Sequence, residues 1–319
     1  MFDRVPVPTP FQVGPVNAYV AGQTVVDPGP DSEAAWERLL TALAERRLEP
    51  ADVEQVLVTH PHPDHFGLAG RLREAGATVV TAEEAAPILE DFPGRLDYER
   101  EYFREFFVRC GMAEATAETV TDLPQVFVNY APSVEVDRAV GEGDTVCVDG
   151  RELAVRELVG HATGEVMFAF EQDGERWGLV GDNVLADITP NPFLQPPPAD
   201  GGERPRVLPA YNDSLAALAE AGFDRFLPGH RGPVELPTAR IEAILEEHRE
   251  RTARVAGVVT EPATPTDVMA ALFGDLPVTE QYMGMSEAVG HLDVLAVEGR
   301  VTVRETDGEL VYERVESLD

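Results

Sequence analysis

No lysine occurs anywhere in this chain of 319 residues: all 25 basic side chains are arginine, set against 58 acidic ones, for a formal net charge of −33. Cysteine is almost as scarce. Cys110 and Cys147 are the two present, with no CxxC spacing, which excludes a disulfide framework and a thiolate zinc knot. No run approaches the roughly 20 apolar residues of a membrane helix, and the opening Met1-Phe-Asp-Arg-Val-Pro6 lacks the basic and apolar regions of a signal peptide. These absences lead us to expect a cytoplasmic protein without a membrane partner. Strong net charge often accompanies disorder, but strands and amphipathic helices recur along this chain, and 44% of its residues are hydrophobic, an ordinary share for a globular protein.

What the chain does have is histidine concentrated in one place. His60, His62, Asp64 and His65 fall within Val56-Leu-Val-Thr-His-Pro-His-Pro-Asp-His-Phe-Gly67. Imidazole and carboxylate are the nitrogen and oxygen ligands that suit zinc and its neighbours. Pro61 and Pro63 bias the residues before them toward extended geometry, which sends His60 and His62 to the same side, while Asp64 and His65 follow past the bend. Three further pieces have a common form, a polar group at the end of an apolar strand. Gly160-His161 follows the alternating stretch Glu152 to Leu158, Gly181-Asp182 follows Trp177-Gly-Leu-Val180, and Pro228-Gly-His230 follows Phe226-Leu227.

This ordered set, HxHxDH, then GH, GD and PGH, resembles the signature of the metallo-β-lactamase superfamily over roughly residues 12 to 235. The resemblance implies a four-layered αββα sandwich and two bound metal ions per chain. It places His60, His62 and His161 on one ion and Asp64, His65 and His230 on the other, with Asp182 bridging. Zinc is the metal implied, with iron or manganese as alternatives in one or both sites. Many relatives read GHTPGH at the second motif, where this chain has Gly160-His-Ala-Thr-Gly-Glu165; the second histidine of that pattern is not a ligand, so Glu165 leaves the set intact. Val16-Asn-Ala-Tyr19 and Val26-Asp-Pro-Gly29 are similar to the family's opening hairpin, and Asp27 is expected to orient a ligand from behind. The lysine-free acidic composition is similar to that of salt-in halophilic archaea, since molar salt shortens the Debye length to about 3 Å. In such a setting acidity argues only weakly against nucleic-acid binding.

Residues 1–236 are expected to form the hydrolase domain, with a helical insertion at about 87–137, and residues 237–319 a linker helix and a small winged-helix-like domain. The insertion carries Tyr98, Tyr102, Phe103, Phe106 and Phe107 at helical spacings, read either as a helix packed on the core or as a lid over the metals. Ile188 to Pro198 is too proline-rich for a helix or central strand and is expected to rim the pocket, with Tyr211 facing the site. A helix from Pro237 to about Val258 leads to a capped helix at Thr264-Pro-Thr-Asp267, a second helix beginning at Ser286, and a hairpin turning at Asp307-Gly308 with Val303 opposite Tyr312. The second helix offers Glu287, His291 and Asp293 rather than arginines, so a packing or homodimer role is favoured over DNA reading. His248 shares a helical face with Ile241, Ile244, Leu245 and Val255, and both it and His291 read as core or surface histidines rather than ligands.

Two adjacent divalent ions lower the pKa of a shared water to about 7 and so provide hydroxide at neutral pH. The reading with most support is hydrolysis of a small ester or thioester carbonyl by that hydroxide, with Asp64 as the catalytic carboxylate, as in the hydroxyacylglutathione-hydrolase-like, or glyoxalase-II-like, branch. The competing readings are a nuclease or phosphodiesterase acting on RNA or a nucleotide, and a non-catalytic metal-binding regulator. The absence of the extra nuclease motifs and inserted domain, and the interleaving of Arg249, Arg251 and Arg254 with Glu246, Glu247 and Glu250, count against the first competitor, and the intact ligand set counts against the second.

Overall fold

The computed structural model describes residues 2–199 and 201–315; residues 316–319 of the expected tail lie outside them. The described residues group into two compact units: residues 2–95, 126–190 and 217–241 form the first, and 96–125, 191–199, 201–216 and 242–315 the second. The second unit therefore draws on three stretches of chain.

The first unit is built on two sheets. One has the order β1 (Asp3–Val7), β2 (Val16–Ala21), β3 (Thr24–Val26), β4 (Gln55–Leu57), β5 (Thr78–Ala82) and β6 (Arg138–Val140). Its first three strands pair antiparallel and the rest parallel. The other runs from β7 (Thr145–Val148) through β8 (Arg151–Leu158), β9 (Glu165–Gln172) and β10 (Glu175–Gly181) to β11 (Arg225–Pro228), of which only the β10/β11 pair is parallel. The alternation expected of β8 is present: Leu153, Val155 and Leu158 are buried while Glu152, Ala154 and Glu157 are exposed. In β7, likewise, Val146 and Val148 are buried and Cys147 is exposed.

Helix α1 (Glu33–Glu45) starts at Ser32, whose hydroxyl accepts from the Ala35 amide, and buries Leu39 and Leu43. A single turn, α2 (Pro63–Phe66), and a short helix, α3 (Ala69–Glu74), follow the histidine loop. Then come α4 (Ala86–Glu90), α5 (Phe92–Arg109) and α6 (Glu114–Asp122). Residues 187–199 form no helix or strand, as their prolines require. After α7 (Val207–Glu220), α8 (Pro237–Val258) ends where its sequence pattern ends.

In the second unit, Phe103, Phe106 and Phe107 of α5 are buried among Val268, Met285, Val289, Leu292 and Tyr312. The aromatic face of the helix is thus packed on the core of the second unit. Tyr211 is fully buried beside His248, ring centroids 5.6 Å apart, where an aromatic ring inside a helical core gains from burial. Helix α9 (Pro265–Phe273) opens with the capping box read from sequence, the Thr264 amide donating to Asp267 at 2.9 Å and the Asp267 amide to the Thr264 hydroxyl at 3.2 Å. Helix α10 (Gln281–Val297) begins five residues before Ser286. Ser286 is not its cap: the hydroxyl donates back to the Tyr282 carbonyl at 3.1 Å, the mid-helix alternative open to serine. Strands β12 (Val301–Thr306) and β13 (Glu309–Arg314) pair Val303 with Tyr312 around Asp307 and Gly308, both at positive φ.

Candidate metal centre

Every candidate ligand lies where a strand ends. β4 runs into the histidine loop, β8 into the turn with His161, β10 into Asp182 and β11 into His230, a placement typical of α/β sites. His62 is extended (φ −81°, ψ 144°) and caps α2, whose single turn carries Asp64 and His65 round to the other side, as the two prolines dictate. Two glycines permit the close approach of these loops. A Cβ at Gly229 would stand 2.4 Å from Asp182 Oδ1 and 2.5 Å from His65 Cε1, and one at Gly181, which is also at φ +50°, would stand 2.7 Å from Thr59 Oγ1.

All seven side chains come together. Three overlapping groups have donor atoms within 4.8 Å of one another: His60, His62 and His161; His60, His65 and Asp182; and Asp64, His65 and His230. Asp182 Oδ2 lies at the centre, 3.6 Å from His161 Nε2, 3.7 Å from His65 Nε2 and 3.4 Å from His230 Nε2. His62 Nδ1 lies 3.1 Å from His60 Nε2 and 3.0 Å from His161 Nε2.

The far nitrogen of three imidazoles is held by the protein. His65 Nδ1 meets Asp27 Oδ2 at 2.9 Å and His230 Nδ1 the Pro15 carbonyl at 2.9 Å, so each is the donor there. His60 Nδ1 meets Thr59 Oγ1 at 3.0 Å, and that hydroxyl in turn donates to Asp27 at 2.7 Å. Asp27 thus orients two candidate ligands, one directly and one through Thr59, and it adopts the left-handed conformation at φ 48° that Asp tolerates better than most residues. Thr59 and the Pro15 carbonyl were not legible in the sequence, since neither belongs to a motif. Asn17 and Tyr19, read only as part of a hairpin, both donate to the Pro228 carbonyl, at 2.9 and 2.7 Å, and so hold the loop that carries His230.

The charges in this cavity call for a cation. Burial, reinforced by His161, pushes His62 down to about 3, and burial with the neighbouring imidazoles likewise keeps His60 neutral. Burial also opposes charge on His65, yet Asp182, Asp27 and Asp64 together raise it well above the ordinary imidazole range. Burial acts the same way on His230, which Asp182 and Asp64 raise. Asp182 and Asp64 remain ionised despite burial, because His230 and His65 outweigh the desolvation. In addition, His65 Nε2 and Asp182 Oδ1 are buried without a hydrogen-bond partner, and His230 Nε2 faces Asp64 Oδ2 at 3.1 Å. Imidazole nitrogens with fixed tautomers, facing carboxylate oxygens within 4.8 Å, fit one or more divalent ions.

Fold and site together define a metal-dependent hydrolase built on a mixed α/β scaffold. Comparison with known proteins agrees. Residues 12–230 match the model of the metallo-beta-lactamase superfamily. A probable metallo-hydrolase of Bacillus subtilis, YqjP, is 30% identical over 311 residues, covering 96% of this chain and 95% of that protein. The crystal structure of a metallo-beta-lactamase family protein from Thermus thermophilus superposes with a TM-score of 0.80 at 27% identity, covering 98% of each chain. A beta-lactamase domain protein from Burkholderia ambifaria gives 0.77 at 25% identity, over 98% of this chain and 92% of that one. The chain belongs to the metallo-beta-lactamase superfamily.

Proposed function

We propose that this protein is a dinuclear zinc hydrolase of small esters or thioesters, of the glyoxalase-II-like kind. The observation that carries the reading is the position of Asp182 Oδ2, within 3.7 Å of imidazole nitrogens from both ligand groups, as a shared ligand requires. His60, His62 and His161 would hold one ion and Asp64, His65 and His230 the other. Two ions bound there supply a water of lowered pKa and polarise a carbonyl oxygen. Around them the chain's own residues set the geometry: Asp27 and Thr59 fix the His60 and His65 rings, the Pro15 carbonyl fixes His230, and Asp64 would be the ionised carboxylate beside the bound water.

A carbonyl substrate is favoured over a nucleic acid because basic side chains are few beside 58 acidic ones, and two of the three in the basic cluster of Arg249, Arg251 and Arg254 are paired with glutamates. Arg249 pairs with Glu246 and Arg251 with Glu287. The winged-helix-like tail is read as a packing element, since α10 is buried from Gly284 to Leu295 and presents no recognition face. No described helix is long and apolar enough to cross a membrane, and a cytoplasmic, salt-adapted protein is the setting we propose. A panel comparing thioesters and activated carboxylic esters with bis(p-nitrophenyl) phosphate and labelled RNA tests the proposal. Faster turnover of the carbonyl substrates is expected; faster metal-dependent RNA cleavage would replace this reading with the nuclease.

A further inference from the structure

Glu165 is a carboxyl with little thermodynamic reason to be where it is. It is 1% exposed, no arginine pairs with it among the described residues, and Oε1 is buried without a hydrogen-bond partner. Burying such a group costs free energy that an apolar side chain would not incur. Its partners suggest what offsets that cost. Oε2 accepts from the Asn183 side-chain amide at 2.9 Å and from the backbone amide of His161 at 3.4 Å. The same Asn183 amide also donates to the Val159 carbonyl at 3.3 Å. Glu165 begins β9 opposite Leu158, so the loop between them is the one that carries His161, while Asn183 directly follows Asp182. One carboxylate oxygen and one amide therefore tie together the two loops whose side chains approach at His161 Nε2 and Asp182 Oδ2.

From this geometry we infer that Glu165 is a positioning residue, which sets the separation of His161 and Asp182 and thereby the affinity of the centre for a divalent ion. The inference rests on the ligand assignment proposed above. Glu165 belongs to none of the groups of ligand-type side chains close enough to share an ion among the described residues; it acts through the His161 backbone and Asn183. The fit is specific to a planar acceptor. Gln keeps the acceptor oxygen and the length of the side chain, Leu keeps most of the volume without an acceptor, and Ala keeps neither.

The test is zinc affinity, measured by chelator competition on the full chain, alongside the thermal midpoint of the metal-free protein, for wild type, Glu165→Gln, Glu165→Leu and Glu165→Ala. Glu165→Gln should bind zinc within about 3-fold of wild type, and the Leu and Ala variants about 10–100-fold more weakly, the usual loss when the support of a ligand is removed. A purely structural role would lower the midpoint of Glu165→Ala and leave zinc affinity unchanged in Glu165→Leu. Wild-type affinity in the Leu variant would overturn the inference and leave the ligand assignment standing, whereas weak zinc binding by the wild type would overturn both.

Discussion

Of the seven histidines, five lie in the first unit and two in the second, and the two groups use burial differently. In the first unit, imidazoles are anchored at the far nitrogen and send the near one toward carboxylates within 4.8 Å. In the second unit, His248 Nδ1 meets Asn212 at 2.7 Å and His291 Nδ1 meets Thr252 at 2.8 Å, with the rings 6.3 Å apart. Anchoring is common to both. Convergence is not: neither His248 nor His291 belongs to any group of three ligand-type side chains close enough to share an ion, among the described residues. A buried, hydrogen-bonded histidine is thus no sign of a metal; several donors aimed at one point, with carboxylates among them, are.

The contrast can be broken at several places. The largest effect is expected at Asp64, where substitution by Ala removes a proposed ligand of the second group. Hydrolysis should fall by well over 100-fold while circular dichroism stays native, and undiminished turnover would refute the ligand role. Next comes pH. Burial lowers His248 from 6.5 to about 4, so the unfolded chain binds the extra proton first as the solution is acidified. Its neutral form is fully compatible with the fold above pH 6.5, and stability drains away between there and about pH 4, by roughly 3 kcal/mol. In His248→Gln that part of the slope in unfolding free energy against pH should vanish, with zinc affinity unchanged. A loss of zinc affinity in this variant would erase the distinction between the two histidine groups.

Asp27→Asn keeps a side chain that tolerates the left-handed backbone but gives up one of the acceptor positions serving Thr59 and His65. Divalent-ion affinity should drop by about 10–100-fold, read by chelator competition. The smallest effect per residue is expected from salt. With a net charge of −33, screening that reaches about 30 Å at 0.01 M and about 3 Å at 1 M should make the thermal midpoint climb with potassium chloride. A midpoint that is flat or falls would remove the basis for proposing a salt-adapted origin.

Much of this molecule is legible in local sequence, and what is not shares a common reason. The capping box at Thr264, the Val303–Tyr312 register and the end of α8 depend on residues within a few positions of each other, so turn and capping chemistry suffices. The grouping of seven ligand-type residues was legible because four stand within six positions and the others follow strand ends. The start of α10 was misplaced at Ser286 because serine serves equally as a cap or as a donor to the preceding turn, and only packing decides. The destination of the aromatic face of α5, the burial of Tyr211 and the partners of Glu165 depend on chain segments far away in sequence. Periodicity reports that a face is apolar, not which core receives it.

The central claim is that the seven converging residues hold metal and the two remaining histidines do not. Elemental analysis of protein purified without metal-affinity steps addresses it directly. About two divalent ions per chain are predicted for the wild type and for His248→Gln, falling to about one in His161→Ala and in His230→Ala. Well under one ion per chain in folded wild-type protein, or undiminished metal in both of the last two variants, would contradict the account.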